Sequence, residues 1–147
     1  MKHYVASDHA GVAFKAFVKS FLEGKGVEVE DLGPATADRV DYPDYAMKVV
    51  EKVHGNPDAL GILICGTGIG MSLAANKFKG IRATLCHDAY TAKMAKAHND
   101  ANILVMGARV LGEGTAESIL EAWLNTGFEG GRHGDRIAKV EEHGDVL

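Results

Sequence analysis

The chain has 147 residues, enough for one domain that buries about two-thirds of its unfolded surface. Its 46% hydrophobic and 24% charged residues are ordinary for a globular protein, and a formal net charge of −4 argues against the basic face of a dedicated nucleic-acid binder. No run approaches the roughly 18 apolar residues of a membrane helix, the N-terminus has no signal-peptide layout, and two cysteines make no disulfide framework. The expectation is a reduced, cytoplasmic protein with neither membrane nor nucleic acid as partner.

Short apolar runs alternate with longer helical patterns, the arrangement of a parallel α/β sheet. The first run, Tyr4-Val5-Ala6, closes on the polar trio Ser7-Asp8-His9. Apolar residues at three- and four-residue spacings predict a helix over 12–22, stopped by Gly24 and Gly26. Apolar and acidic residues alternate over 27–32, as in a half-exposed edge strand. Gly33-Pro34 ends it, a polar loop carries Asp41 and Tyr42 to Pro43, and helix resumes over 45–53. Residues 60–65 form the strongest strand, a continuous apolar run suited to burial on both faces. A glycine loop, Gly66 to Gly70, leads into a third helix; strands over 81–86 and 103–106 alternate with helices over 89–97 and 115–124. After Gly127 the tail is polar and basic, then weakly helical over 137–143. The expected fold is one three-layer α/β/α domain over 1–147. Its five-stranded parallel sheet is flavodoxin-like, in the order 2-1-3-4-5, and a C-terminal helical tail, 128–147, is expected to dock on a partner subunit.

In an open parallel sheet a ligand binds beyond the carboxyl ends of the strands, where the strand order reverses. In this order the reversal lies between strands 1 and 3, which end in Asp8-His9 and in Cys65 with its glycine loop. The glycines let backbone amides approach an anion, and the amides of a helix N-terminus favour a thiolate over a thiol. The segment is neither a dinucleotide fingerprint nor a P-loop, since Met71 follows its last glycine and no Gly-Lys-Ser/Thr appears. A tight turn with a small buried cysteine is the plainer alternative, and Cys86 reads as core on the same ground. Arg132 and Arg136, four residues apart, can share a helix face and fork onto a phosphate, although a solvated pair has the same spacing. No His/Cys spacing marks a metal site.

Together these segments resemble the B-type ribose-5-phosphate isomerase family, which includes allose- and galactose-6-phosphate isomerase relatives. The resemblance lies in Ser-Asp-His-Ala-Gly at 7–11, Asp-Tyr-Pro-Asp-Tyr-Ala at 41–46 and Ile-Cys-Gly-Thr-Gly-Ile-Gly at 64–70. It continues through Ala-Ala-Asn-Lys-Phe at 74–78, Gly-Ile-Arg-Ala at 80–83, His-Asn-Asp at 98–100 and Gly-Gly-Arg-His at 130–133, then Arg136. Met71 stands where another branch carries a glutamate, so the chain resembles the cysteine type.

The resemblance implies a cofactor-independent aldose–ketose isomerase with Cys65 as the base between C1 and C2. Thr67 would assist the proton movements, His98 would open the sugar ring, and the amides of Gly66, Gly68, Ile69 and Gly70 would hold the enediolate. Asp8 and Asn99 would contact the sugar and Tyr42 would line the pocket. His9, Arg132, Arg136 and, as a helper, Arg109 would bind the phosphate. It implies a homodimer or homotetramer with active sites shared between subunits, a sugar phosphate as small-molecule partner, and no metal. Two rivals stand beside it: an isomerase of a hexose 6-phosphate, and a flavodoxin-like signalling module with Asp8 as phosphoacceptor. The second needs an acidic cluster at the end of strand 1, and the sequence offers one Asp beside a His.

Overall fold

The computed structural model describes residues 1–145, leaving 146–147 of the expected tail outside the described residues. In chain order it contains β1 (Lys2–Ser7), a 3-10 turn (His9–Gly11), α1 (Val12–Gly24), β2 (Val29–Asp31), α2 (Tyr42–Val53) and β3 (Ala59–Cys65). There follow α3 (Ile69–Ala75), β4 (Ala83–Leu85), α4 (Ala89–Ala97), β5 (Ile103–Gly107), α5 (Glu113–Asn125) and α6 (Arg132–Gly144). All strand pairings are parallel. Among the described residues no helix is long and apolar enough to cross a membrane.

The strands lie in the order β2-β1-β3-β5-β4, which corrects the expected 2-1-3-4-5. The exchange follows burial. Every residue of β5 is buried, whereas β4 is three residues long with Thr84 and Leu85 half-exposed. The more apolar run takes the place hydrogen-bonded on both edges, and the shorter one becomes the edge. The reversal between β1 and β3 is unaffected.

Side chains of β3 alternate between two cores, as a strand requires. Ile62 and Ile64 face Val18 and Leu22 of α1, Ala92 and Ala95 of α4, and Ile119, Leu120 and Trp123 of α5. Leu63 and Cys65 face Ala46, Val49, Val50 and Val53 of α2, with Met71 and Ala75 of α3. The four α2 residues recur at three- and four-residue spacing, so one stripe of that helix is apolar. At the start of α4, Asp88 accepts from the Thr91 N–H at 2.7 Å in a capping box, a motif that stabilises a helix by about 1 kcal/mol. Two helices start three or more residues earlier than the sequence pattern suggests. Tyr42 opens α2 instead of standing in a loop, because Pro43 is well placed in a first turn. The tail helix starts at Arg132 rather than 137, and Glu141 ties it back to Arg82 at 3.9 Å and to the Gly80 N–H at 3.1 Å.

At the amino ends of the strands, Trp123 Nε1–H donates to His3 Nε2 at 3.1 Å, and both residues are buried. Burial pushes the His3 imidazole down from 6.5 to about 4, with the Lys96 charge adding to it, against a backbone hydrogen bond with Met1. The folded state therefore binds fewer protons than the unfolded state between these values. His3 contributes its full stability above pH 6.5 and loses it as pH falls through about 4, a span on the order of 3 kcal/mol. In urea titrations from pH 7 to pH 4, the stability gap between wild type and His3→Gln should narrow progressively. A gap independent of pH would show that His3 titrates normally.

Candidate active site

The carboxyl ends of β1 and β3 hold the first group of expected residues. Asp8 is buried and accepts from the Ala10 N–H at 2.9 Å, which starts the 3-10 turn. Its own N–H donates to the Ile64 carbonyl at 3.0 Å, locking it beside β3. The backbone N–H and C=O of Val40 bracket His9 Nδ1 at 3.3 Å, so the loop before α2 orients that imidazole. Cys65 is 5% exposed, and its Sγ accepts from the Gly68 N–H at 3.2 Å. Thr67 is exposed, and its Oγ1 accepts from the Ile69 N–H at 3.2 Å.

The shape of the glycine loop follows from what it touches. Gly68 has φ +85°, a left-handed conformation that L side chains rarely adopt. Across from it, a Cβ on Gly107 would lie 2.6 Å from the Thr67 carbonyl oxygen, so a bare backbone at the end of β5 is what admits the loop. Tyr42 lays its ring over Gly70, where an added Cβ would meet it at 2.7 Å. The Arg109 side chain lies over Gly66, and the Arg109 backbone N–H donates to the Gly66 carbonyl at 2.9 Å. Asp8, His9, Tyr42, Cys65, the loop and Arg109 thus gather at the carboxyl edge of the sheet.

The remaining expected residues are not brought to this edge. Helix α4 leaves the carboxyl end of β4 and returns the chain to the amino end of β5, and His98 is its C-cap. His98 and Asn99 therefore stand at the opposite end of the sheet from Cys65. The Glu129 N–H donates to the Ala97 carbonyl at 3.0 Å, which starts α6 beside them and puts Arg132 and Arg136 there too. His98, Asn99, Arg136 and buried His133 line a pocket of about 220 Å³ with Ile137 and Val140. Burial pushes the His133 imidazole down, helped by His98, Arg132 and Arg136 and opposed by Glu129. Arg132 and Arg136 are both exposed, near one end of one helix.

Two neighbours of His98 are missed by the sequence reading. His133 stacks on it with ring centroids 4.2 Å apart, and Glu129 Oε1 lies 3.7 Å from Nε2 of each histidine. The sequence reading finds no metal-ligand cluster, and the fold gathers this one. Its one local signal is the four-residue spacing of Glu129 and His133. Cys86 is 1% exposed and packs in the α1/α4/α5 core, as expected, and burial pushes its thiol up.

A family model described as Ribose/Galactose Isomerase matches residues 4–140. Ribose-5-phosphate isomerase B of Escherichia coli (strain K12) is 47% identical over 133 residues, 90% of this chain and 89% of that protein. The structure of ribose-5-phosphate isomerase B from Clostridium thermocellum superimposes with a TM-score of 0.95 at 47% identity, covering 99% of both chains. The Mycoplasma genitalium enzyme, solved with bound ribulose-5-phosphate, gives a TM-score of 0.93 at 40% identity, covering 99% of this chain and 97% of its own.

The two cysteines differ in their access to backbone donors and to solvent, and this is measurable by alkylation. Brief iodoacetamide treatment of the native protein should modify Cys65 well ahead of Cys86, which should react only after unfolding. Peptide mass mapping reads both sites, and equal labelling would contradict the difference in environment.

Proposed function

The chain belongs to the ribose/galactose isomerase family, among its B-type ribose-5-phosphate isomerases, and is a sugar-phosphate isomerase; from that premise we propose that it interconverts ribose 5-phosphate and ribulose 5-phosphate with Cys65 as base. The observation that carries this reading is the setting of Cys65: a sulfur fixed at the end of a buried strand, with a backbone donor at 3.2 Å and the glycine loop directly after it. The pentose assignment is supported by the E. coli relative and by the ribulose-5-phosphate bound to the M. genitalium neighbour.

In this mechanism the Cys65 thiolate removes the proton from C2 of the open-chain aldose. The electrons move onto O1, and the amides of Gly66 to Gly70 hold the resulting enediolate, as preorganised donors do for developing oxyanions. The Cys65 thiol returns the proton at C1 to give the ketose, while Thr67 assists exchange between O1 and O2. Asp8 orients sugar hydroxyls, with Asn99 and Tyr42 lining the pocket. His98 opens the furanose by protonating its ring oxygen and taking up the anomeric hydroxyl proton. His9, Arg109, Arg132 and Arg136 hold the phosphate, whose binding energy helps position the reacting carbons.

These roles are divided between opposite ends of one chain, so the reading includes a second copy. The carboxyl half-site of one subunit would meet the amino half-site of its partner, and a two-fold axis would repeat the arrangement. Exposed Ile69 and Leu73 on α3, beside the glycine loop, offer apolar surface for that contact.

Cys65→Ala should lower turnover by about 10²–10⁴-fold or more while a non-reacting sugar-phosphate analogue still binds. Turnover near wild type would rule Cys65 out as the base. Turnover measured across pentose and hexose phosphates tests the substrate, and preference for a hexose 6-phosphate would replace the pentose assignment. Subunit sharing has its own test: refolding Cys65→Ala with His98→Asn should restore about a quarter of wild-type activity, because a mixed dimer carries one intact site. Mixtures as inactive as the parents would place each site within one chain.

A further inference from the structure

Glu129 and His133 have no part in the reaction just described, yet the fold delivers both to His98. Glu129 is pinned by its N–H to the Ala97 carbonyl at 3.0 Å, and His133 follows four residues later, in the first turn of α6. The Nε2 atoms of His98 and His133 each stand 3.7 Å from the same oxygen, Glu129 Oε1. Ligand atoms of the three residues all lie within 4.8 Å of one another. At 3.7 Å neither contact is a hydrogen bond, so two nitrogens and an oxygen converge without bonding one another. Donors that sit about 2.1 Å from a shared ion at tetrahedral to trigonal angles stand roughly 3.4–3.6 Å apart. The two 3.7 Å spacings to Glu129 are close to that, and the histidine pair lies within 4.8 Å.

The donor set favours one class of ion. Two imidazoles and a carboxylate suit zinc and other borderline divalent cations, and leave a fourth position open to solvent. His133 is buried, so its ring is held in place by its surroundings. The two rings are stacked 12° from parallel, so coordination of one ion by both requires them to splay. His98, with 38% of its side chain exposed, is the freer of the two to turn. Arg132 and Arg136 oppose a cation here, and the Glu129 carboxylate offsets part of that charge.

We propose that His98, Glu129 and His133 form a binding site for a divalent cation of the zinc class, and that the ion inhibits the enzyme by occupying the His98 nitrogen. The site stands on geometry alone. The inhibition rests on the ring-opening role proposed above for His98.

Calorimetric titration of Zn²⁺ alone into the metal-free full-length protein tests the site. One ion should bind per chain, and Glu129→Gln and His133→Gln should each weaken binding by about tenfold or more. Cys65→Ala should leave it unchanged. Absence of stoichiometric binding, binding that survives both substitutions, or binding lost in Cys65→Ala would overturn the site. Glu129 is exposed, so its variant reads the ligand set without disturbing the core. For the second half, Zn²⁺ should inhibit wild type in step with binding, EDTA should reverse it, and Glu129→Gln should resist it. Stoichiometric binding without inhibition would overturn that half. Because calorimetry needs no turnover, a protein that binds zinc here but isomerises nothing would refute the proposed reaction and leave the site standing.

Discussion

Strand β3 is hydrogen-bonded to β1 and β5 along both edges and covered on both faces, and the carboxyl half-site takes its position from it. Its seven residues are all buried, so neither its register nor its facing can slip without moving Ile62, Ile64 and Leu63 out of their cores. Cys65 is the last residue of that strand and inherits its rigidity. Gly107, paired with Cys65 across the ladder, extends the constraint into the loop, because the Thr67 backbone passes where a side chain would otherwise be. Cys65 and the loop that follows it are thus held by sheet geometry, which suits the proposed role of stabilising charge without reorganising.

The same sheet imposes a separation. A parallel strand can be followed by another only through a connection that travels back along its length. Residues at the end of such a connection, like His98 on α4, lie a full strand away from residues at its beginning. No rearrangement of side chains brings His98 to Cys65 within one subunit. A chemistry that needs both ends has to be completed by another molecule, and α6 adds Arg132 and Arg136 to the far end.

Much of the carboxyl half-site was legible in the sequence because its signals are local. A continuous apolar run ending in Cys65 marks a buried strand, alternate glycines mark the turn, and the polar trio after Ala6 marks the end of β1. Strand directions then place Asp8 beside Cys65. The order of β4 and β5 was not legible, because both runs are short and apolar and their places depend on competition for the interior. Tyr42 was misread as loop because Pro43 breaks a helix in its middle but suits its start. Glu129 and His133 escaped notice for a different reason. They meet His98 only after the chain turns through Gly130 and Gly131, at φ +72° and +59°, and no periodicity announces such a contact.

The protein's one tryptophan lies at the amino end of the sheet, bonded to His3 and covered by the Lys96 ammonium 4.6 Å from its ring. Lys96 is two residues from His98 on the chain segment that ends α4. The indole therefore shares its environment with that half-site and is separated by the sheet from Cys65. Its emission is a built-in optical probe of the amino end, where Lys96 links it to the end of α4. A single intrinsic fluorophore thus divides the spectroscopy of this molecule along the same line that the fold divides its site.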